Sequence, residues 1–129
     1  MAYAGPVHRW DVFWADLEPG VGHEQKGAER PVIVVSNDGF NRSFRMVTVV
    51  PATKLEGKQR NVYGFEVLLP KGTLTPDHAS IAMPHQVRSI SSLRLLEKIG
   101  TLHDARHQAA IENRLLEHLG IAFEAEEVD

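Results

Sequence analysis

The chain has 129 residues and a formal net charge of −3 at pH 7, and 43% of its residues are hydrophobic. This length and composition predict one globular domain over residues 1–129, with a core of modest size. The chain has no cysteine, which excludes disulfide bonds and thiolate metal sites. Neither a secretory signal nor an apolar run long enough for a membrane span is visible, so we expect a cytoplasmic protein without membrane contact.

The charge is distributed unevenly along the chain. Residues 21–60 carry seven lysines and arginines against four acidic residues, a local charge of +3, whereas residues 101–129 carry a local charge of −5. A basic region can bind phosphates although the whole chain is acidic. Charge alone nevertheless favours the simpler interpretation, that these basic residues are solvated loop side chains.

The first two predicted elements are strands. One covers residues 10–17 and ends at a Glu-Pro-Gly sequence. The other covers residues 31–36, and its continuous β-branched run is typical of a strand that is covered on both faces. Pro31 fits the beginning of a strand better than its interior, so we expect the second strand to begin there.

A polar loop precedes the second strand and carries charged side chains. Gly22 and Gly27 allow its backbone to bend where a side chain would obstruct it. Glu24 lies within the loop, and Arg30 lies at the mouth of the strand. We interpret this arrangement as a way to hold an acid–base pair beside a phosphate.

A third strand is predicted over residues 46–51, ending at Pro51. Residues 37–42 before it are rich in turn-forming residues and predict a loop. Just past the strand, Thr53 supplies a hydroxyl group and Lys54 an ammonium group. Because two strand ends carry groups that suit a phosphate, we expect them to form one composite site.

The rest of the chain predicts short strands and one helix. A polar loop is predicted over residues 55–61, strands over 63–69, 79–83 and 86–90, and a helical turn over 91–96. The final helix begins at His103 or Asp104, and Gly120 ends it. Its apolar stripe is formed by Ile111, Leu115 and Leu119, and residues 124–129 predict a frayed acidic tail.

Many short strands with one terminal helix predict a mainly β domain. We expect a small, strongly bent antiparallel sheet or half-open barrel with a C-terminal helix. No internal repeat or low-complexity segment is visible in the sequence.

Three segments, residues 22–38, 46–54 and 82–90, together resemble the MazF/PemK family of toxin endoribonucleases. The shared motifs are the Gly-x-Glu-Gln start of the loop, the Arg-Pro-Val strand, the following Asn-Asp, the Pro-x-Thr turn and Gln-Val-Arg-Ser-Ile. Their order and spacing are more specific than any motif alone, and the resemblance covers about residues 10–119. This chain has one residue more between the loop glutamate and the arginine than the family usually has.

The resemblance implies both a fold and a function. The fold is an SH3-like antiparallel β-barrel of the CcdB/PemK plasmid-toxin kind. The function is sequence-biased, metal-independent cleavage of single-stranded RNA by the toxin of a type II toxin–antitoxin system, without a cofactor. The implied partners are RNA, a second copy of the chain in a homodimer, and a MazE-like antitoxin that binds across the groove between subunits.

The resemblance also implies catalytic roles for Glu24, Arg30 and Thr53. RNA carries its own nucleophile, so a base, a charged partner for the phosphate oxygens and a positioning hydroxyl suffice for cleavage. Glu24 is the expected base, and the extra loop residue makes Glu29 a rival carboxylate. His23 can serve as base or acid at neutral pH, although a loop histidine without a role is the stronger expectation. From spacing alone, a surface salt bridge between Arg30 and Glu24 and a turn-capping Thr53 explain the same residues.

Further residues are candidates for substrate contacts. The polar ones are His23, Gln25, Lys26, Asn37, Lys54, Gln86 and Arg88. Phe40, Trp14 and Tyr63 are candidates for stacking on unpaired bases, although core packing is the stronger expectation for Trp14 and Tyr63.

Two other interpretations were weighed. His103 and His107 have the spacing of a zinc-binding helix, but the acid between them is an aspartate and no third ligand stands out, so no metal site is expected. The same barrel also occurs in non-enzymatic toxins that poison a protein such as DNA gyrase, and a plain adaptor is a third possibility. The pairing of Arg30 with Thr53 favours the nuclease.

Overall fold

The computed structural model describes residues 2–55 and 61–122, where seven strands form one antiparallel sheet. The strands are β1 (Asp11–Ala15), β2 (Arg30–Val34), β3 (Met46–Lys54), β4 (Val67–Leu69), β5 (Ser80–Ala82), β6 (Arg88–Ser91) and β7 (Leu95–Thr101). Their order in the sheet is β4-β5-β3-β2-β1-β7, and β6 pairs with β3. The helices are α1 (Asp38–Ser43) and α2 (Ala105–His118), and Pro84–Gln86 and Ser92–Arg94 form 3-10 turns.

The mainly β fold with a C-terminal helix is confirmed. Within the described ranges the two end strands, β4 and β7, do not pair with each other, so the barrel is not closed. Apolar residues are buried on both faces of the sheet. No helix in those ranges is both long and apolar enough to cross a membrane.

Each face of the sheet carries its own apolar core. Ile33 belongs to the core that includes Ile111 of α2, while Val32 and Val34 belong to the core around Phe13. The division follows from the alternation of side chains along a strand. Val32, Ile33 and Val34 are all 0% exposed, which confirms that β2 is covered on both faces.

β3 does not end at Pro51, so that expectation was wrong. The strand continues to Lys54 because Pro51 lies where β3 changes partner. Pro51 makes the last pair with β2, opposite Val32, and the next residue makes the first pair with β5. Proline cannot donate a backbone hydrogen bond, but its carbonyl accepts one from the Met83 N–H at 2.9 Å.

The predicted loop over residues 37–42 is instead occupied by α1. The side-chain oxygen of Asn37 accepts a hydrogen bond from the backbone N–H of Phe40 at 2.8 Å and caps this short helix. The same residue types favour turns and helix N-caps, so composition did not separate the two. The strand predicted over residues 63–69 is also shorter, because only Val67–Leu69 is extended.

The sequence did not reveal β7. This strand carries Glu97, Lys98 and Gly100, which are poor strand formers. It is stabilised by pairing with β1, whose buried Asp11 accepts a hydrogen bond from Thr101 Oγ1 at 2.9 Å. Lys98 Nζ lies 3.4 Å from the same carboxylate. Tertiary contacts therefore decide the conformation of this segment.

The helix α2 forms as predicted, with one difference in its buried face. Asp104 caps it through a hydrogen bond from the Arg106 N–H, and Gly120 follows it at a φ of 70°. Ile111 is fully buried, but Leu119 is 60% exposed and does not extend the apolar stripe. Residues 124–129, and the part of the predicted 55–61 loop at 56–60, lie outside the described residues.

Candidate active site

β2 and β3 bring Arg30 and Thr53 to the same end of the sheet. The two strands pair from Val34 opposite Val49 to Val32 opposite Pro51. If this register is continued by two residues, Arg30 lies opposite Thr53. Residues two apart on a strand share a face, so both side chains lie on the face of the Phe13 core. Arg30 and Thr53 thus share one end and one face of the sheet, and the composite site that we expected from two strand ends stays a prediction.

The guanidinium of Arg30 is fixed by the loop that precedes it. Its Nε donates a hydrogen bond to the Lys26 carbonyl at 2.7 Å. Gly27 makes room for this contact, since a Cβ atom there would lie 2.5 Å from the Arg30 Nε. The φ of Gly27 is 137°, in a region that residues with a side chain rarely adopt.

The terminal nitrogens of Arg30 are left for an external partner. Within residues 2–55 and 61–122 they form no hydrogen bond and no ion pair, including with Glu24 or Glu29. The alternative of a surface salt bridge between Arg30 and Glu24 is therefore absent from the structure. A fork of N–H donors in a fixed orientation is suited to phosphate oxygens.

The loop offers three candidates for a general base. Glu24 is exposed, and its Oε1 accepts a hydrogen bond from the Val21 N–H at 2.7 Å. Glu24 also donates its own N–H to the Val21 carbonyl at 3.1 Å, so the residue closes the turn at Gly22. His23 and Glu29 are exposed as well. All three side chains are therefore accessible to a substrate.

Gln86 links this loop to the rest of the site. Its Oε1 accepts a hydrogen bond from the Gln25 N–H at 3.1 Å, and its Nε2 donates to the His23 carbonyl at 3.0 Å. Gln86 ends the 3-10 turn that follows Met83, which is itself bonded to Pro51. The side chain that was predicted to contact substrate thus holds the loop beside the end of β3.

The two predicted lysines lie at different places in the site. Lys26 is exposed on the loop, and its stem covers Gly20, where a Cβ atom would lie 2.4 Å from the Lys26 Cβ. Lys54 is exposed at the end of β3. Because successive side chains on a strand point to opposite faces, Lys54 is directed away from the face that Thr53 and Arg30 share.

Asn37 and Arg88 lie away from Arg30. Asn37 follows the other end of β2, and the strand itself spans about 13 Å at a rise of 3.3 Å per residue. Its side-chain oxygen caps α1. Arg88 pairs with Val49, on the far side of Pro51 from Thr53. Its Nη1 is buried and has no hydrogen-bond partner within the described ranges.

The aromatic candidates differ in their exposure. Trp14 is half-buried in β1. Tyr63 is 55% exposed, so the expectation that it packs in the core was wrong. Its ring stacks on Phe65, and the ring of Phe40 stacks on Phe44. Phe65 was not identified from the sequence, because one aromatic residue in a turn gives no distinct pattern.

Of the two histidines with the spacing of a zinc-binding helix, His107 lies in α2 and His103 precedes the helix. Arg106 donates a side-chain hydrogen bond to Asp104 and thereby lowers the pKa of that carboxyl. His107 Nδ1 lies 3.9 Å from the same carboxylate. Among the described residues no group of three or more histidine or acidic side chains has a metal-binding arrangement.

The fold is that of a known class of toxins. The profile of the family described as PemK-like, MazF-like toxin of type II toxin–antitoxin system matches residues 8–119. The chain belongs to this family.

Individual relatives agree with this assignment. The chain is 35% identical to a protein named endoribonuclease MazF9 from Mycobacterium tuberculosis, over 89% of this chain and 98% of that protein. The structure of MazF from Deinococcus radiodurans matches with a TM-score of 0.74 and 25% identity, over 92% of this chain and all of that one. A mycobacterial endoribonuclease solved with its cognate antitoxin has the same fold, with a TM-score of 0.71 and 19% identity over 92% of this chain.

Proposed function

We propose that the protein is an endoribonuclease that cuts single-stranded RNA without a metal ion and with sequence bias. The observation that carries the proposal is the common end and face of Arg30 and Thr53, with the terminal nitrogens of Arg30 left for an anion. The relative that is 35% identical is named an endoribonuclease, which supports the same reaction here.

The proposed reaction uses the substrate's own nucleophile. A base removes the proton of the 2′-hydroxyl, the O2′–P bond forms and the P–O5′ bond breaks. The leaving O5′ takes up a proton from water, so the products are a 2′,3′-cyclic phosphate and a 5′-hydroxyl. Charge that develops on the phosphorane oxygens is stabilised by fixed donors. Single strands are favoured because duplex geometry resists in-line attack and hides the base edges.

Each site residue has a role in this proposal. Arg30 holds the phosphate oxygens, the Thr53 hydroxyl donates one hydrogen bond to a phosphate oxygen and positions the phosphate, and Glu24 removes the proton of the 2′-hydroxyl. Glu24 keeps Oε2 for this purpose, since only Oε1 is bonded to the Val21 N–H among the described residues. Lys26 lies on the same loop as Glu24, and its role is to contact a backbone phosphate of the RNA next to the cleaved bond.

The proposed partners are a second copy of the chain and an antitoxin. Membership of a family of toxin–antitoxin toxins supports an antitoxin, which we expect to bind across the groove of a homodimer. The basic region over residues 21–60 is suited to an acidic peptide that folds on contact. The proposed substrate places the action of the protein in the cytoplasm.

The alternative of a non-enzymatic toxin that poisons DNA gyrase is not supported. The family match and the named relative both indicate a MazF-type endoribonuclease.

The test is incubation of the purified protein with a mixed-sequence RNA in the presence of EDTA, followed by chemical analysis of the new ends. We expect cleavage to persist and the products to carry 2′,3′-cyclic phosphate and 5′-hydroxyl groups. Products with 3′-hydroxyl ends, or complete loss of cleavage in EDTA, would exclude the proposed mechanism. In a parallel assay, the purified protein should not affect supercoiling by DNA gyrase.

A further inference from the structure

Tyr63, one of the aromatic candidates, forms an exposed pair with Phe65, which the sequence did not single out. Tyr63 and Phe65 stack nearly in parallel, with ring centroids 5.3 Å apart and an angle of 12° between the ring planes. They are 55% and 46% exposed, respectively. Exposed aromatic surface of this kind marks an interaction site, and each ring keeps a face that its neighbour does not cover.

The turn that carries the pair is held by Glu66. This residue is 6% exposed, and its Oε1 accepts a hydrogen bond from the Tyr63 N–H at 3.1 Å. Its own N–H donates to the Tyr63 carbonyl at 2.9 Å. The turn between the two aromatic residues is therefore closed on both sides, which lowers the entropy that the rings lose when a ligand binds.

The pair is continuous with the candidate active site. The rings of Phe65 and His85 form a T-shaped pair, with centroids 4.5 Å apart and an angle of 75° between the ring planes. The next residue, Gln86, is bonded to the backbone of the loop that carries Glu24. The second exposed pair, Phe40 and Phe44, follows the opposite end of β2 and lacks this connection.

On the basis of the proposed function, we propose that Tyr63 and Phe65 form a stacking platform for an unpaired base of the RNA next to the cleaved bond. A flat aromatic face recognises a base through its π-surface, and single-strand binding proteins commonly combine such faces with positive charge. Phe65 contacts His85, and the next residue, Gln86, holds the loop that carries Glu24, so a base stacked on the platform would lie beside that loop.

The platform is tested with a fluorescent 2′-O-methyl oligoribonucleotide of mixed sequence, which cannot be cleaved because it has no 2′-hydroxyl. Binding is measured by anisotropy for the wild type, Tyr63→Ala, Phe65→Ala and Tyr63→Phe, with Phe44→Ala as the matched control at the other aromatic pair. We expect each alanine change in the platform to weaken binding about 5- to 100-fold, the scale of one lost base stack. Tyr63→Phe and Phe44→Ala should stay within about twofold of the wild type, since they keep the platform's ring face.

The platform would be excluded if Tyr63→Ala and Phe65→Ala both bound the oligonucleotide with wild-type affinity. It would also be excluded if the wild type did not bind the oligonucleotide at all. An equal loss in Tyr63→Phe would assign the effect to the hydroxyl group instead. A change in oligomeric mass of Tyr63→Ala at unchanged RNA affinity would assign the pair to a protein interface.

A second measurement does not depend on the folding of the variants. An oligonucleotide of the same kind that contains 4-thiouracil should, on irradiation, crosslink to the wild type at residues 63–65, and crosslinks found only elsewhere would contradict the platform. The proposed function can fail separately. If the wild type binds this oligonucleotide through the platform but does not cut ordinary RNA, the binding proposal stands and the nuclease proposal is wrong.

Discussion

A Cβ atom at Gly27 would lie 2.5 Å from Nε of Arg30, so the side chain of Arg30 occupies the space that only glycine leaves open. The same Nε is bonded to the Lys26 carbonyl, one residue before Gly27. The orientation of the guanidinium therefore depends on the backbone of the loop as well as on the strand that carries Arg30.

Gly27→Ala should impair both stability and cleavage. A residue with a side chain at a φ of 137° is strained, and such strain costs about 1–3 kcal/mol. Displacement of Arg30 should lower the cleavage rate at least tenfold, on the scale of a misplaced catalytic group. The measurements are thermal unfolding and initial cleavage rates, with Gly100→Ala as control, since a Cβ at Gly100 meets nothing within 4 Å. Equal activity of the two variants would contradict the role assigned to Gly27.

Gln86→Ala should act on the rate of cleavage more than on substrate affinity. The change removes two hydrogen bonds that hold the His23 and Gln25 backbone. We expect kcat to fall about 10- to 100-fold through misplacement of the loop, with a small change in KM. Gln86→Glu keeps the acceptor for the Gln25 N–H and should be intermediate. A large rise in KM at unchanged kcat would instead make Gln86 a substrate-binding residue.

Glu24→Gln should identify the general base. Loss of a general base costs about 10²–10⁴-fold in rate, and glutamine keeps an acceptor for the Val21 N–H, so the turn should stay closed. Glu29→Gln and His23→Ala are the comparisons, measured as single-turnover rates on one RNA. If either comparison is more damaging than Glu24→Gln, the base has been assigned to the wrong residue.

Antitoxin and RNA should compete for the same positively charged groove. Because the interaction joins opposite charges, inhibition by the cognate antitoxin should weaken as the salt concentration rises. Light scattering on the purified chain and RNA competition at two salt concentrations measure the assembly and the competition. A fully active monomer at micromolar concentration would refute the dimer, and an inhibitor that binds together with RNA would refute the shared groove.

Local sequence patterns predicted most of the fold because many of its elements depend on the conformational preferences of neighbouring residues. The β-branched run of β2 and the positive φ of Gly27 follow from side-chain shape and backbone freedom. β7 was missed because its pairing with β1, rather than its residue types, makes it a strand. The end of β3 was misplaced because a proline is tolerated where a strand changes partner.

The candidate site was predictable in part. Arg30 and Thr53 lie at the same end of the sheet because β2 begins where the neighbouring strand β3 ends, and the sequence indicated these two strand ends. The role of Gln86 as a loop anchor depends on contacts between residues 61 and 63 positions apart in the chain, and no local pattern encodes them. Likewise, the side chains of Thr53 and Lys54 point to opposite faces because β3 continues through Pro51, and the sequence placed the end of the strand at Pro51.

The most direct test compares the cleavage rate of Arg30→Ala with that of Arg42→Ala. Arg42 is an exposed arginine of α1 and lies beyond the opposite end of β2. Arg42→Ala is the control because it removes the same charge away from the site. We expect Arg30→Ala to lower the rate about 10²–10³-fold, the cost of losing one fixed charge stabiliser, while its melting temperature stays close to that of the wild type. Arg42→Ala should cleave at nearly the wild-type rate. Near-normal cleavage by a folded Arg30→Ala protein would contradict the proposed site.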